Sequence, residues 1–178
     1  MHAATLTRTV DEIVAAIEQL DLGPIMFKLM DPEEGQGWSR DKVERMALEY
    51  RRYLILLAKY PERTFAPTKD IDKFWHGHIL DTMKYVEDCN KTFGHYVHHF
   101  PYFGMRGATD AANLAAAADE MASLYATEFG ESLGHSNAFC IKSQAPQQNA
   151  AFCIKSLSME VDAAFCIKSE VAAKESAF

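Results

Sequence analysis

Residues 39–57 read Ser39-Arg40-Asp41-Lys42-Val43-Glu44-Arg45-Met46-Ala47-Leu48-Glu49-Tyr50-Arg51-Arg52-Tyr53-Leu54-Ile55-Leu56-Leu57 and carry the clearest structural signal in the chain. Val43, Met46, Tyr50, Tyr53, Leu54 and Leu57 recur at intervals of three and four, which gathers them on one side of an α-helix. Ser39 supplies an N-cap and Pro61 a stop. Upstream, Thr9 caps a helix that places Val10, Ile13, Val14, Ile17 and Leu20 on one face, and Gly23-Pro24 breaks it. Pro24 then opens a short apolar helix through Met30. Residues 31–37, DPEEGQG, are a loop by composition. Downstream, Asp70 is a plausible cap for a helix running to about Asn90. A last helix starts near Thr109, carries Leu114, Ala118, Met121, Tyr125 and Phe129, and ends at Gly130. No stretch alternates with period two. The expectation is an all-α fold: a bundle of about four or five helices over residues 1–135.

Composition excludes several classes. The chain has 178 residues, with 18 Lys+Arg against 25 Asp+Glu and a net charge of −7. A phosphate backbone would want the opposite sign, so no nucleic-acid partner is expected. The longest membrane-like run, Leu54–Leu57, falls far short of the roughly 20 apolar residues a span needs. The first residues lack the charged and apolar regions of a signal peptide, so a cytoplasmic location and no membrane partner are expected.

Charge and cysteine divide the chain in two. After His135, four lysines balance four carboxylates, so the whole −7 lies in the first 135 residues. Cys89 stands alone there, whereas Cys140, Cys153 and Cys166 lie in the tail, residues 136–178. That tail repeats itself. Ala-Phe-Cys-Ile-Lys-Ser occurs identically at 138–143, 151–156 and 164–169, and Ala177-Phe178 stand where a fourth copy would begin. The seven-residue spacers QAPQQNA, LSMEVDA and EVAAKES share almost nothing. Thirteen residues are too few for a solenoid unit. On a helix, successive cysteines would be some 220° apart, and on a strand an odd spacing would flip them to opposite faces. The repeat therefore reads as an element presented in copies on a flexible tail. Two plainer readings stand beside it: a recent duplication, against which the diverged spacers argue, and a floppy tail of no consequence. In architecture the chain resembles the precursor of a ribosomally synthesised and post-translationally modified peptide: a folded leader followed by repeated cores. The resemblance implies Cys140, Cys153 and Cys166 as modified residues, with a modifying enzyme and a maturation protease as partners and the modified peptide as the part that could be exported. The thiol is the obvious target, because the thiolate is a strong nucleophile and soft metal ligand. Paired disulfides fit poorly with three tail cysteines in a reducing compartment.

Five of the seven histidines fall between His76 and His99. The stretch Asp70-Ile71-Asp72-Lys73-Phe74-Trp75-His76-Gly77-His78-Ile79-Leu80-Asp81-Thr82 precedes Tyr85, Asp88 and Cys89, and then Phe93-Gly94-His95-Tyr96-Val97-His98-His99-Phe100-Pro101-Tyr102. Over roughly residues 40–105 this pattern resembles the glycine-rich domain-containing protein-like family, with Asp72, Trp75, His76, His78, Tyr85, Asp88 and His99 at its motif positions. The resemblance implies a small helical domain. The glycine-rich region that names the plant members is absent, and the cysteine repeat stands in its place.

Helical geometry limits which of these residues can meet. Ile71, Trp75, His78, Thr82, Tyr85 and Cys89 share one face, and Asp72 and His76 are four apart on a neighbouring face. His76 and His78 are about 200° apart and cannot chelate one ion from a regular helix. His95 with His98 or His99 would chelate better if that stretch is helical. Histidines on apolar faces are also common as hydrogen-bonded core residues. The candidate metal ligands are His76, His78, His99 and Asp72, for a transition metal such as Cu, Fe or Zn. Asp72, Asp81 and Asp88 are candidates to support the imidazoles from outside the ligand sphere. Cys89, on the Trp75/Tyr85 face, reads as a small buried hydrophobe. No phosphate loop, Cys-x-x-Cys or nucleophile elbow is present. Three readings remain open: a peptide precursor; a metal-dependent enzyme acting in cis on its tail cysteines, as an autocatalytic peptide cyclase or oxidase; and a Cu- or Zn-binding module.

Overall fold

The computed structural model describes residues 8–133 and the backbone of residues 154–155. The described residues form a helical bundle, as the periodicity implies: α1 (Val10–Glu18), α2 (Gly23–Met30), α3 (Arg40–Lys59), α4 (Lys69–Leu80), α5 (Thr82–Thr92) and α6 (Ala108–Phe129). A short strand β1 (Thr64–Phe65) pairs antiparallel with β2 (Ile154–Lys155), Phe65 opposite Ile154 and Thr64 opposite Lys155. The expected flexible repeat tail lies otherwise outside the described residues. No described helix is long and apolar enough to cross a membrane.

The central helix is α3, which touches α1, α2, α4 and α6. Its N-terminal half buries a stripe of Val43, Met46, Ala47 and Tyr50. From Tyr53 to Leu57 every side chain is buried, so the run that resembled a fragment of a membrane span is the middle of the core. Three helix starts are fixed by side-chain caps. Thr9 and Glu12 form a reciprocal capping box, Ser39 Oγ accepts from Lys42 N, and Thr68 Oγ1 accepts from Ile71 N. Thr68, not Asp70, is therefore the cap of α4. Asp70 lies inside the first turn and pairs with Lys42 at 3.1 Å. Gly130, at φ 68°, closes α6 in the left-handed conformation. Gly104 is constrained differently: at φ 86°, a Cβ there would come within 2.5 Å of Leu114 Cδ2.

The expected single helix over 70–90 is two. Asp81 leaves helical geometry, at φ −80° and ψ 72°, and α5 starts afresh at Thr82. The hydrophobic face continues across the break, since Ile71, Trp75, His78, Tyr85 and Cys89 are all buried while Thr82 is exposed. Two side-chain bridges show what the break accomplishes. Trp75 Nε1 donates to Tyr85 Oη at 2.9 Å, and His78 Nε2 bonds Asp88 Oδ2 at 2.9 Å. Each pair is ten residues apart, which on a straight helix would be about 15 Å of rise. Only a fold-back at Asp81 lets both form.

One core group is poorly served. Glu49 is buried on α3, its Oε2 has no hydrogen-bond partner and Arg45 stands 4.0 Å from its Oε1. Burial, the largest cause, and the Asp70 charge push its pKa up against the pull of Arg45 and Arg52. A raised carboxyl pKa means the folded state holds the proton more tightly, so stability falls as pH rises from the ordinary value near 4.5 through the folded value. Glu49→Gln is therefore expected to stabilise the protein by about 1 kcal/mol at pH 7, with the gain vanishing by about pH 4. Urea melts at the two pH values check it, and an unchanged or lowered midpoint at pH 7 would show that Glu49 is not under strain.

Candidate metal centre

Asp72 and His76 lie one turn apart on α4, and the third member arrives from elsewhere. His99 belongs to the non-helical stretch after α5 and folds back onto α4. Its Nε2 lies 3.0 Å from Asp72 Oδ1 and 3.1 Å from His76 Nε2, while His76 Nδ1 is 3.8 Å from Asp72 Oδ2. One ligand atom from each of the three residues falls within 4.8 Å of the others. The carboxylate and the His99 ring are nearly enclosed, at 8% and 9% side-chain exposure, whereas His76 is 41% exposed. The cluster is closed on the core side and reached from the side of His76.

The chemistry of the contact is specific. An ionised carboxylate only accepts, so His99 Nε2–H donates to Asp72. The same proton faces the His76 nitrogen at 3.1 Å, so it is shared between an oxygen and a second imidazole. Two imidazoles and a carboxylate with ligand atoms this close together can hold a metal ion in that proton's place. Burial, the largest cause, and His99 lower the His76 pKa against the pull of Asp72. A neutral imidazole is the form a metal requires.

The Trp75–Tyr85 bridge sets the position of His99. Tyr85 Oη accepts from Trp75 and donates to the backbone carbonyl of Val97 at 2.6 Å, two residues before His99. The Trp75 ring packs at 4.6 Å on the His99 ring, and the His76 ring lies 4.6 Å from His99 on its own side. Because that stretch is not helical, His95 and His98 do not act as a helical chelating pair with His99, and both are exposed.

His78 does not join the cluster. As the 200° separation from His76 requires, it points into the core, where Tyr50 Oη lies 3.0 Å from Nδ1 and Asp88 Oδ2 lies 2.9 Å from Nε2. Asp88 accepts only, so Nε2 carries the proton and Nδ1 accepts from Tyr50. Burial, outweighing the bond to Asp88, lowers the His78 pKa. Asp88 also pairs with Lys84 at 2.9 Å, which commits it away from the metal cluster. Asp81 is exposed at the helix break. Tyr50, 28 residues before His78, is a partner that the local pattern around the histidines does not reveal. Its place on the buried stripe of α3 is the one available signal. Cys89 is buried and its thiol is pushed up by that burial, as suits a packing residue. Cys140, Cys153 and Cys166 lie outside the described residues.

A family model described as UCP032817-like matches residues 14–116, a span containing both histidine clusters and ending before the repeats. No curated protein and no solved structure matches the chain.

Proposed function

The chain belongs to the UCP032817-like family, and we propose that here the family's helical domain is the folded leader of a ribosomally synthesised and post-translationally modified peptide precursor. The three Ala-Phe-Cys-Ile-Lys-Ser hexamers are its cores. The observation that carries this reading is the contrast between identical hexamers and unrelated spacers in the same tail. A surface that recognises Phe, Ile, Lys and Ser around a cysteine meets the same side chains three times, and the spacers supply only reach. The modifying enzyme and a maturation protease are the partners this role requires.

A second reading is favoured by the Asp72–His76–His99 cluster: the leader itself holds Cu, Fe or Zn and acts in cis on the tail thiols. The donor set suits these ions, since imidazole serves all three and two histidines with one carboxylate leave coordination positions open.

Intact mass and metal content test both. Protein matured in its native cells is expected to carry one repeated mass increment at Cys140, Cys153 and Cys166, with Cys89 unchanged. Cys153→Ala should remove one increment and leave two. If that variant loses two increments, or only one cysteine ever reacts, the cores are not independent and the precursor reading fails. For the metal, full-length protein reconstituted with Zn, Cu or Fe(II) is expected to bind one ion per chain. Asp72→Asn or His99→Ala should weaken binding at least tenfold with helicity retained. Equal stoichiometry in both variants would end the metal reading. If metal alone produces the increments in a foreign host, the reaction is in cis. Bound metal without increments in any host would leave a binding module and exclude both readings of the tail.

A further inference from the structure

His76 borders more than the metal cluster. Between α2, the loop after it and the C-terminal half of α4 lies an open cleft of about 350 Å³. Lys73, His76, Gly77, Leu80 and Asp81 form its α4 wall, and Pro24, Ile25 and Leu29 form the apolar part of the facing wall. Gly77 brings the walls together, since a Cβ there would lie 3.3 Å from Ile25 Cγ2. Leu80 is 80% exposed at the mouth. Lys28 and Glu34 neutralise each other across the far wall at 2.8 Å. Among the described residues no ion pair engages Lys73 or Asp81, which leaves one open charge toward each end of the α4 wall.

We propose that this cleft binds an Ala-Phe-Cys-Ile-Lys-Ser hexamer of the protein's own tail as an extended segment, with the cysteine beside His76 and the lysine beside Asp81. The proposal gives the in-cis reading its substrate site and rests on that reading only for the purpose of the thiol's position. Three features of the hexamer match the cleft. In an extended chain Phe and Ile point to one side and Cys and Lys to the other. The apolar pair thus faces Ile25 and Leu29 while the polar pair faces α4. The spacing also agrees. Two residues from Cys to Lys span about 6.7 Å in a strand, and the four from His76 to Leu80, next to Asp81, rise about 6 Å on α4. Finally, the described part of a hexamer, Ile154–Lys155, is a strand paired to β1, so the sequence does adopt extended backbone on this domain.

That pairing places Ile154 and Lys155 of the second copy at β1. Cys166 is eleven residues beyond Lys155, a reach of about 36 Å. A domain of this size has a radius of gyration of about 14 Å, so that reach carries the third copy over a large part of the surface round β1.

Photo-crosslinking tests the site in the full chain. Leu80 replaced by benzoylphenylalanine is expected to crosslink to peptides containing 138–143, 151–156 or 164–169, and to do so within one chain when light and heavy isotopic chains are mixed. Asp81→Lys should lower the yield at least about threefold, because an attraction for the core lysine becomes a repulsion. Changing all three tail cysteines to serine should leave the yield intact, since docking does not use the thiol. Crosslinks absent, spread equally over the spacers, or formed only between chains would overturn the proposal. Its failure is distinct from that of the precursor reading: mass increments without crosslinks leave the precursor and remove the cleft, and crosslinks without increments do the reverse.

Discussion

Trp75→Ala is expected to destabilise the fold by about 3–5 kcal/mol, the range for emptying a buried aromatic site. Against a total stability of about 5–15 kcal/mol, that leaves a protein close to its unfolding threshold. Trp75 is fully buried and packs on Tyr53 with ring centroids 5.4 Å apart, so the cavity would open at the α3–α4 contact in the middle of the core. The damage would not stop at packing. Tyr85 Oη loses its donor, and the His99 ring loses the face it rests on. Trp75→Phe separates these effects, because it keeps most of the volume while removing the indole N–H. Its expected cost is smaller, about 1–3 kcal/mol, and it should fold well enough for metal titration. Weaker metal binding in the folded Phe variant would show that the indole helps seat His99. Urea midpoints for the two variants check the stability claim, and a loss under 1 kcal/mol for Trp75→Ala would contradict the packing described.

Much of this arrangement is legible in the chain, and the boundary of legibility is physical. Periodicity locates the helices because burying one face is what makes each of them stable, and Thr9, Ser39 and Gly130 mark their ends through local hydrogen bonding. The break at Asp81 leaves no such trace. The apolar face from Ile71 to Cys89 reads the same whether the helix is straight or folded back, and the choice is made by bonds between residues ten apart. The Asp72–His76 relation follows from one helical turn. So does the exclusion of His78 from the same point in space. The approach of His99 is of a different kind, since it depends on Tyr85 holding the Val97 carbonyl in a segment with no regular structure. The seven residues singled out in the sequence then divide cleanly: Asp72, His76 and His99 converge, while Trp75–Tyr85 and His78–Asp88 tie α4, which carries Asp72 and His76, to α5. A motif mixing ligand-type and bracing residues looks uniform in sequence, which is why His78 stands among the candidate ligands there.

That division predicts opposite behaviour for two histidines separated by a single glycine. His78→Leu, close in volume, is expected to cost about 3–5 kcal/mol, because breaking a buried hydrogen-bonded pair strands what remains. The Tyr50 hydroxyl would be left without a partner at a site with no exposure, and Asp88 would keep only Lys84. His76→Ala removes a half-exposed ring that touches the two other cluster members. Its expected stability cost is under about 1 kcal/mol, with metal binding reduced at least tenfold. The two variants should thus exchange their effects: His78→Leu loses stability, and whatever fraction remains folded should still take up metal, whereas His76→Ala stays folded and does not. Asp88→Asn grades the first effect, since an amide oxygen can still accept from His78 Nε2. A cost near 1 kcal/mol would place the weight on the hydrogen bond, and a cost approaching that of His78→Leu would place it on the buried charge. Thermal melts paired with metal titration read both axes at once. If His78→Leu folds normally and loses metal while His76→Ala keeps it, the assignment of the two rings is reversed.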